Sequence, residues 1–261
     1  MMRGYATTAM GQVHYRSAGA GATTVVLLHE SPLSSATYES VLDQLPPRLR
    51  GVAFDTPGYG ASDPWPGEST EIPDLARMLL AALDELAIHR FAVVGTHTGA
   101  ALAVSMAAQA PDRVSHAMLS GVPLLSEEER RQYLASWAPP VAVELDGSHL
   151  RWAWERYERL WKGPPELLHL GATTLLANLD RYHVGYNAAF RYDPAPDLRN
   201  LACPVLLYTA EEDLLIASDR SAAAELSHIQ LDTVPDLQGQ LPLRRPRAFG
   251  ERLARWVLEG V

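Results

Sequence analysis

The stretch Gly95-Thr96-His97-Thr98-Gly99 decides the fold. It follows the short apolar run Phe91-Ala92-Val93-Val94 and precedes Ala100-Ala101-Leu102-Ala103-Val104-Ser105-Met106-Ala107-Ala108, a small-residue sequence of helical pattern. A brief strand, two glycines and a helix able to approach closely read as a sharp strand-to-helix turn. Such a turn lifts one side chain above the end of a sheet and holds it in a strained conformation of the kind retained for function. His97 is therefore the first candidate functional residue.

Working outward, apolar runs alternate with helix-period segments. Gln12-Val13-His14-Tyr15, Thr24-Val25-Val26-Leu27-Leu28, Gly51-Val52-Ala53-Phe54-Asp55, Val114 to Leu119, Val205 to Tyr208 and Ile229 to Val234 read as strands. A helix over 72–86 carries Pro73 in its first turn and aligns Leu75, Met78, Leu79, Ala82, Leu83 and Leu86 on one face, and a last helix buries Phe249, Leu253, Trp256 and Val257. This alternation predicts an α/β fold, a mostly parallel sheet with helices on both faces. From 123 to 200 the strand pattern stops. That segment holds Trp137, Trp152, Trp154 and Trp161, four of the six tryptophans. It predicts a helical lid (123–200) inserted into a core formed by 1–122 and 201–261, over the strand ends where open α/β sheets bind ligands.

The 261 residues are 47% hydrophobic, enough for one sizeable core, and the formal net charge of −9 leaves no large basic surface. Nucleic acid and anionic membrane are thereby excluded as expected partners, and a small molecule is favoured, bound by a monomer or homodimer. Cys203, the only cysteine, has no intramolecular disulfide partner. No apolar run suits a signal peptide or reaches the roughly 20 residues of a membrane helix, so a soluble cytoplasmic protein is expected. The histidines show no metal-ligand spacing, and Gly58 and Gly60 belong to a turn, not to a dinucleotide fingerprint. No metal and no cofactor are expected.

Several motifs in order resemble the α/β-hydrolase superfamily along nearly the whole chain. They are Leu27-Leu28-His29-Glu30-Ser31-Pro32, Asp55-Thr56-Pro57-Gly58-Tyr59-Gly60-Ala61-Ser62-Asp63, the turn at Gly95 to Gly99, Glu211-Glu212-Asp213, and Leu237-Gln238-Gly239-Gln240-Leu241-Pro242. The resemblance implies an α/β-hydrolase fold and a nucleophile–acid–histidine order. His97 then stands at the nucleophile position, Asp213 at the acid position and Gln240 at that of the general-base histidine. A chain without the serine and the usual histidine has no route to an acyl-serine by the familiar triad. The backbone N–H groups of Thr98 and Ser31 are implied as the oxyanion hole.

Two readings of His97 stay open. In one, the imidazole reaches toward Asp213 or Gln240, so that one nitrogen is oriented by the acid while the other faces the pocket and moves protons. In the other, the site has decayed and His97 merely lines it. Glu30 reads either as a second acid/base group or as a solvent-facing residue tying down a loop, and His29 as a structural histidine bonded to backbone. His149, Trp154, His183 and Tyr186 are the pocket candidates from the lid, although solvent-facing or capping roles suit the two histidines. Gln240 is expected to position substrate or water. The expected function is a cofactor-independent, hydrolase-like enzyme acting on a small apolar carbonyl compound by histidine acid/base chemistry, through hydrolysis of an ester or C–C bond without an acyl-serine. A non-hydrolytic lyase, isomerase or cyclase of natural-product biosynthesis is the alternative, and a catalytically silent ligand-binding protein is a third.

Overall fold

A computed structural model describes residues 1–67 and 69–260. Eight strands form one sheet: β1 (Met2–Thr8), β2 (Gly11–Ala18), β3 (Thr23–Leu28), β4 (Leu49–Phe54), β5 (Phe91–Thr96), β6 (Val114–Ser120), β7 (Val205–Ala210) and β8 (Ile229–Val234), in the order β1-β2-β4-β3-β5-β6-β7-β8. β1 and β2 pair antiparallel, as do β2 and β4; every other neighbouring pair is parallel. The sheet is thus mostly parallel, and the strands read from the sequence lie where expected, several of them longer by one to four residues. β1 was not anticipated. As an edge strand it is largely exposed, so it lacks the apolar run that marks the central strands.

Alternate residues of each central strand feed two cores. Val26, Leu28, Val93, Leu119 and Leu207 face the helices Ile72–Glu85 and Thr98–Gln109. Val25, Leu27, Val94, Met118 and Leu206 face Tyr38 and the helix Pro246–Glu259 with its Phe249, Leu253 and Trp256. Helix Thr98–Gln109 is buried from Thr98 to Ala107, which its alanines permit. The turn before it tolerates no side chain at its glycines: a Cβ on Gly99 would lie 2.1 Å from the Leu28 carbonyl oxygen, and one on Gly95 2.2 Å from that of Gly99. Between them His97 takes φ 49°, a left-handed value costly for a residue with a Cβ.

Between β6 and β7 lie the helices Glu127–Ser136, Ser148–Trp161, Pro165–Ala177, His183–Arg191 and Ala195–Arg199. Tyr157, Trp161, Leu168, Ala172, Leu175 and Tyr182 give this insertion its own apolar cluster, which also takes in Leu33 from the loop after β3. Cys203 is a buried free thiol. Among the described residues no helix is long and apolar enough to cross a membrane.

Trp256 joins the final helix to the sheet. It is 1% exposed, donates from Nε1 to the Ala117 carbonyl at 3.1 Å and meets His116 edge to face. Truncation leaves a ring-sized cavity and an unpaired carbonyl. Trp256→Ala is expected to cost about 3–5 kcal/mol of unfolding free energy in urea titration, and a loss below about 1 kcal/mol would show that this contact does not hold the helix.

Candidate active site

The ends of three parallel strands bring three titratable side chains together. Glu30 follows β3, His97 follows β5 and Asp213 follows β7. His97 Nδ1 lies 2.6 Å from Glu30 Oε2, and Nε2 lies 3.0 Å from both oxygens of Asp213. The Glu30 and Asp213 side chains are 7% and 0% exposed, and the ring 20%. A neutral imidazole has one N–H, so with both acids ionised one of them would face a bare lone pair at contact distance. The doubly protonated ring removes that repulsion. Burial disfavours the charged ring, but Asp213 and Glu30 outweigh it and raise its pKa well above the ordinary 6.5. For Asp213, burial acts upward, yet the His97 charge and hydrogen bonds from His97 and the Leu215 amide (2.8 Å) hold its pKa below the usual carboxylate value.

Glycines make room for this cluster. A Cβ on Gly121, at φ +65°, would stand 2.3 Å from His97 Cδ2, and one on Gly239 would stand 2.5 Å from Asp213 Oδ2. The Gly121 loop is held by Asp219, which accepts from the Gly121 and Val122 amides at 2.8 and 2.9 Å and from the Thr209 hydroxyl. Burial pushes the Asp219 carboxyl up to about 6 against those bonds. His29 is neutral and structural: Nδ1 donates to the Glu30 carbonyl at 2.9 Å, Nε2 accepts from the Thr56 amide at 2.9 Å, and burial lowers its pKa.

The structure changes parts of the expected site. His97 does reach Asp213, but its other nitrogen does not face open cavity; it is taken by Glu30, because a charged ring attracts a second carboxylate. Glu30 accordingly lies inward, not toward solvent. Gln240 does not meet His97. With its amide oriented to suit its neighbours, its oxygen accepts from Trp161 Nε1 at 3.1 Å and its nitrogen donates to the Gly239 carbonyl, which ties the inserted helices to the loop beneath Asp213. Thr98 is the first residue of its helix, so its N–H has no intrahelical acceptor and points out of the helix end. The Ser31 amide reaches only the Thr98 hydroxyl, at 3.4 Å.

Of the candidates in the insertion, Tyr186 lines the cavity beside His97 and the other three do not. His149 accepts from the Glu144 amide at 3.1 Å, a capping role. His183 sits against Tyr182, and Trp154 is 37% exposed. Which positions of a helix face the cavity is a matter of its rotation, which composition alone does not reveal. Trp137, Tyr157 and Leu214 line the space instead. The larger part of the cavity, about 270 Å³, is bounded by Glu30, His97, Tyr157 and Gln238, and a smaller, mostly apolar part of about 60 Å³ also borders His97. No group of side chains among the described residues is arranged to hold a metal ion.

A 2-hydroxy-6-oxononadienedioate/2-hydroxy-6-oxononatrienedioate hydrolase of Pseudomonas putida is 36% identical over 114 residues, 42% of this chain and 40% of that protein. A pimeloyl-[acyl-carrier protein] methyl ester esterase of Pectobacterium carotovorum is 34% identical over 105 residues, 40% of this chain and 39% of that protein. The matches thus span about two fifths of the length of these curated relatives. Among solved structures, the enol-lactonase from Burkholderia xenovorans superposes with a TM-score of 0.79 at 19% identity over 98% of this chain and 100% of that one, which shows a shared fold. A family model described as alpha/beta hydrolase fold matches residues 23–229, from β3 through the turn at His97 and the inserted helices to the start of β8. The chain belongs to that family.

Proposed function

We propose that the chain is a cofactor-independent enzyme that turns over a small carbonyl compound by proton transfer, without an acyl-serine. The observation that carries this reading is the clamping of both His97 nitrogens by carboxylates. With no free lone pair the ring is neither nucleophile nor base toward substrate. The proton-exchanging group is then Glu30, which lines the cavity and meets Nδ1 through Oε2. Across that 2.6 Å contact a proton is shared between carboxylate and ring, while Asp213 fixes the other nitrogen.

In hydrolysis, Glu30 removes a proton from water as the water oxygen bonds to the carbonyl carbon. The carbonyl electron pair moves onto oxygen, where the Thr98 N–H at the helix end stabilises it. The Ser31 amide joins by exchanging its long contact with the Thr98 hydroxyl for the stronger bond to an anion. Collapse expels the leaving group, which takes the proton back from Glu30. The similarity to a dioate hydrolase and a methyl ester esterase supports carbonyl substrates of this kind. The same carboxylate removing a proton beside a carbonyl would give an isomerase or lyase step instead.

Labelled water separates these outcomes: turnover of a panel of esters, lactones and 2-hydroxy-6-oxo acids in ¹⁸O water is expected to place the label in product. Unlabelled product would identify the non-hydrolytic reaction, and no turnover across the panel would favour a binding protein. Glu30→Gln is expected to lower kcat by about 10²–10⁴-fold, the usual worth of a general base, and retention of full activity would remove Glu30 from the chemistry.

Two pH dependences follow from the raised His97 pKa. Because the working ring is already charged, kcat/KM should cross pH 6.5 without the rise that a free imidazole base produces, and should fall on the alkaline side as the ring loses its proton. For stability, a raised histidine pKa contributes fully below the unfolded value of 6.5 and is lost as pH rises through the folded value. The lowered Asp213 pKa contributes above 3.8 and is lost as pH falls through its folded value. The cluster therefore stabilises most between those two ordinary values. Urea midpoints of the parent and of Glu30→Gln should differ more at pH 5.5 than at pH 9.5; a gap that widens with pH would contradict the charged ring.

A further inference from the structure

Besides its two carboxylates, His97 meets an uncharged wall supplied by the end of β6. The Ser120 carbonyl accepts from the His97 amide at 2.8 Å, and Gly121 follows at φ +65°. A Cβ on Gly121 would stand 2.3 Å from His97 Cδ2, 2.7 Å from Nε2 and 3.2 Å from Asp213 Oδ1. The Gly121 backbone therefore lies where the ring edge and the Asp213 carboxylate converge. Coulombic attraction depends on distance and has no preferred direction, so close contact with this backbone is what limits the tilt of the ring between its two acids.

Gly121 is itself held by Asp219, on the helix Ile216–Glu225. Asp219 is 0% exposed, and its oxygens accept from the Gly121 amide at 2.8 Å, from the Val122 amide at 2.9 Å and from the Thr209 hydroxyl at β7. Among the described residues none of these partners is a cation. A buried carboxylate without a counter-charge is costly, and the negative charge of Asp213 adds to that cost. With its carboxyl pushed up to about 6, the group is still mostly ionised at neutral pH. In that state its bonds from two successive N–H groups are charge-assisted, roughly twice as strong as neutral ones, and fix Gly121 and Val122 as a unit.

We infer that Asp219 is a positioning residue for His97: acting through the Gly121 backbone, it sets the seat of the imidazole against Asp213 and thereby how tightly the ring holds its proton. This rests on the ion cluster and not on the reaction proposed for it. The seat matters because Nε2 lies 3.0 Å from both Asp213 oxygens. Lengthening such a contact by about 1 Å, at an effective dielectric constant of about 20, weakens the attraction by the equivalent of about one pKa unit, tenfold in proton affinity.

Nitrogen-15 NMR of the histidine rings, together with amide hydrogen exchange, tests the inference without a substrate. Asp219→Asn keeps the shape but turns one acceptor oxygen into a donor facing donors. It should speed exchange of the Gly121 and Val122 amides about tenfold or more, the worth of a hydrogen bond to a charged group, and lower the His97 pKa by about one unit. Gly121→Ala keeps the Asp219 charge and pushes on the ring directly. It should move the His97 pKa in the same direction, which separates seating from the mere loss of a nearby negative charge. Thr209→Val leaves both amide bonds in place and should leave His97 as in the parent. If Asp219→Asn does not fold, Asp219→Glu, which keeps the charge but displaces the carboxylate by a methylene, is read in its place with the same expected direction.

Faster amide exchange with His97 unchanged would reduce Asp219 to a structural anchor and overturn the inference. So would unaltered exchange of Gly121, or a His97 shift in Asp219→Asn that Gly121→Ala does not reproduce. A neutral His97 in the parent would contradict the charged cluster alone, because the change in ring shifts between parent and variants would still decide the positioning.

Discussion

The site depends on one imidazole held between two carboxylates. His97 stands on a turn that forces φ 49°, and the ring it lifts is met by Glu30 at 2.6 Å and by Asp213 at 3.0 Å. Remove the ring's charge and two nearly buried acids lose the one cation that both of them contact. A cluster of this kind carries one net negative charge over three groups, so it holds a proton ready between Glu30 and Nδ1 while keeping Asp213 ionised. Its electrostatics offset strain that the turn alone would not sustain.

Everything nearby is arranged around the volume of that ring. Gly121 and Gly239 leave the space that the ring and the Asp213 carboxylate occupy, and Asp219 anchors the loop that presents Gly121. Gln240 and Trp161 connect the loop beneath Asp213 to the inserted helices, so the roof of the cavity and the floor of the ion cluster share one hydrogen bond. Coupling of this sort gives a bound ligand a physical path to the proton-holding pair: a group that displaces Trp161 also shifts the loop next to Asp213.

The sheet was legible because strands buried on both faces must be apolar without interruption, as Val25 to Leu28 and Phe91 to Val94 are. β1 escaped notice because an exposed edge strand carries no such run. His97 announced itself through its two glycines. Asp213 was found only through the order of motifs, and Glu30 was visible as an oddity without a partner, since nothing in a spacing of 67 residues says which ring nitrogen it meets. In the inserted helices the sequence shows many rings but not the rotation of each helix. Trp154 and His183 therefore looked as eligible as Trp137 and Tyr157, which line the cavity.

The account stands or falls with the charge of one ring. Nitrogen-15 NMR of histidine-labelled protein, with His97 assigned by comparison to His97→Gln, reports the protonation of each ring nitrogen directly. The account predicts that Nδ1 and Nε2 of His97 both carry protons at neutral pH and that the ring titrates well above the free imidazole range. A neutral ring at pH 7 with one bare nitrogen would contradict it.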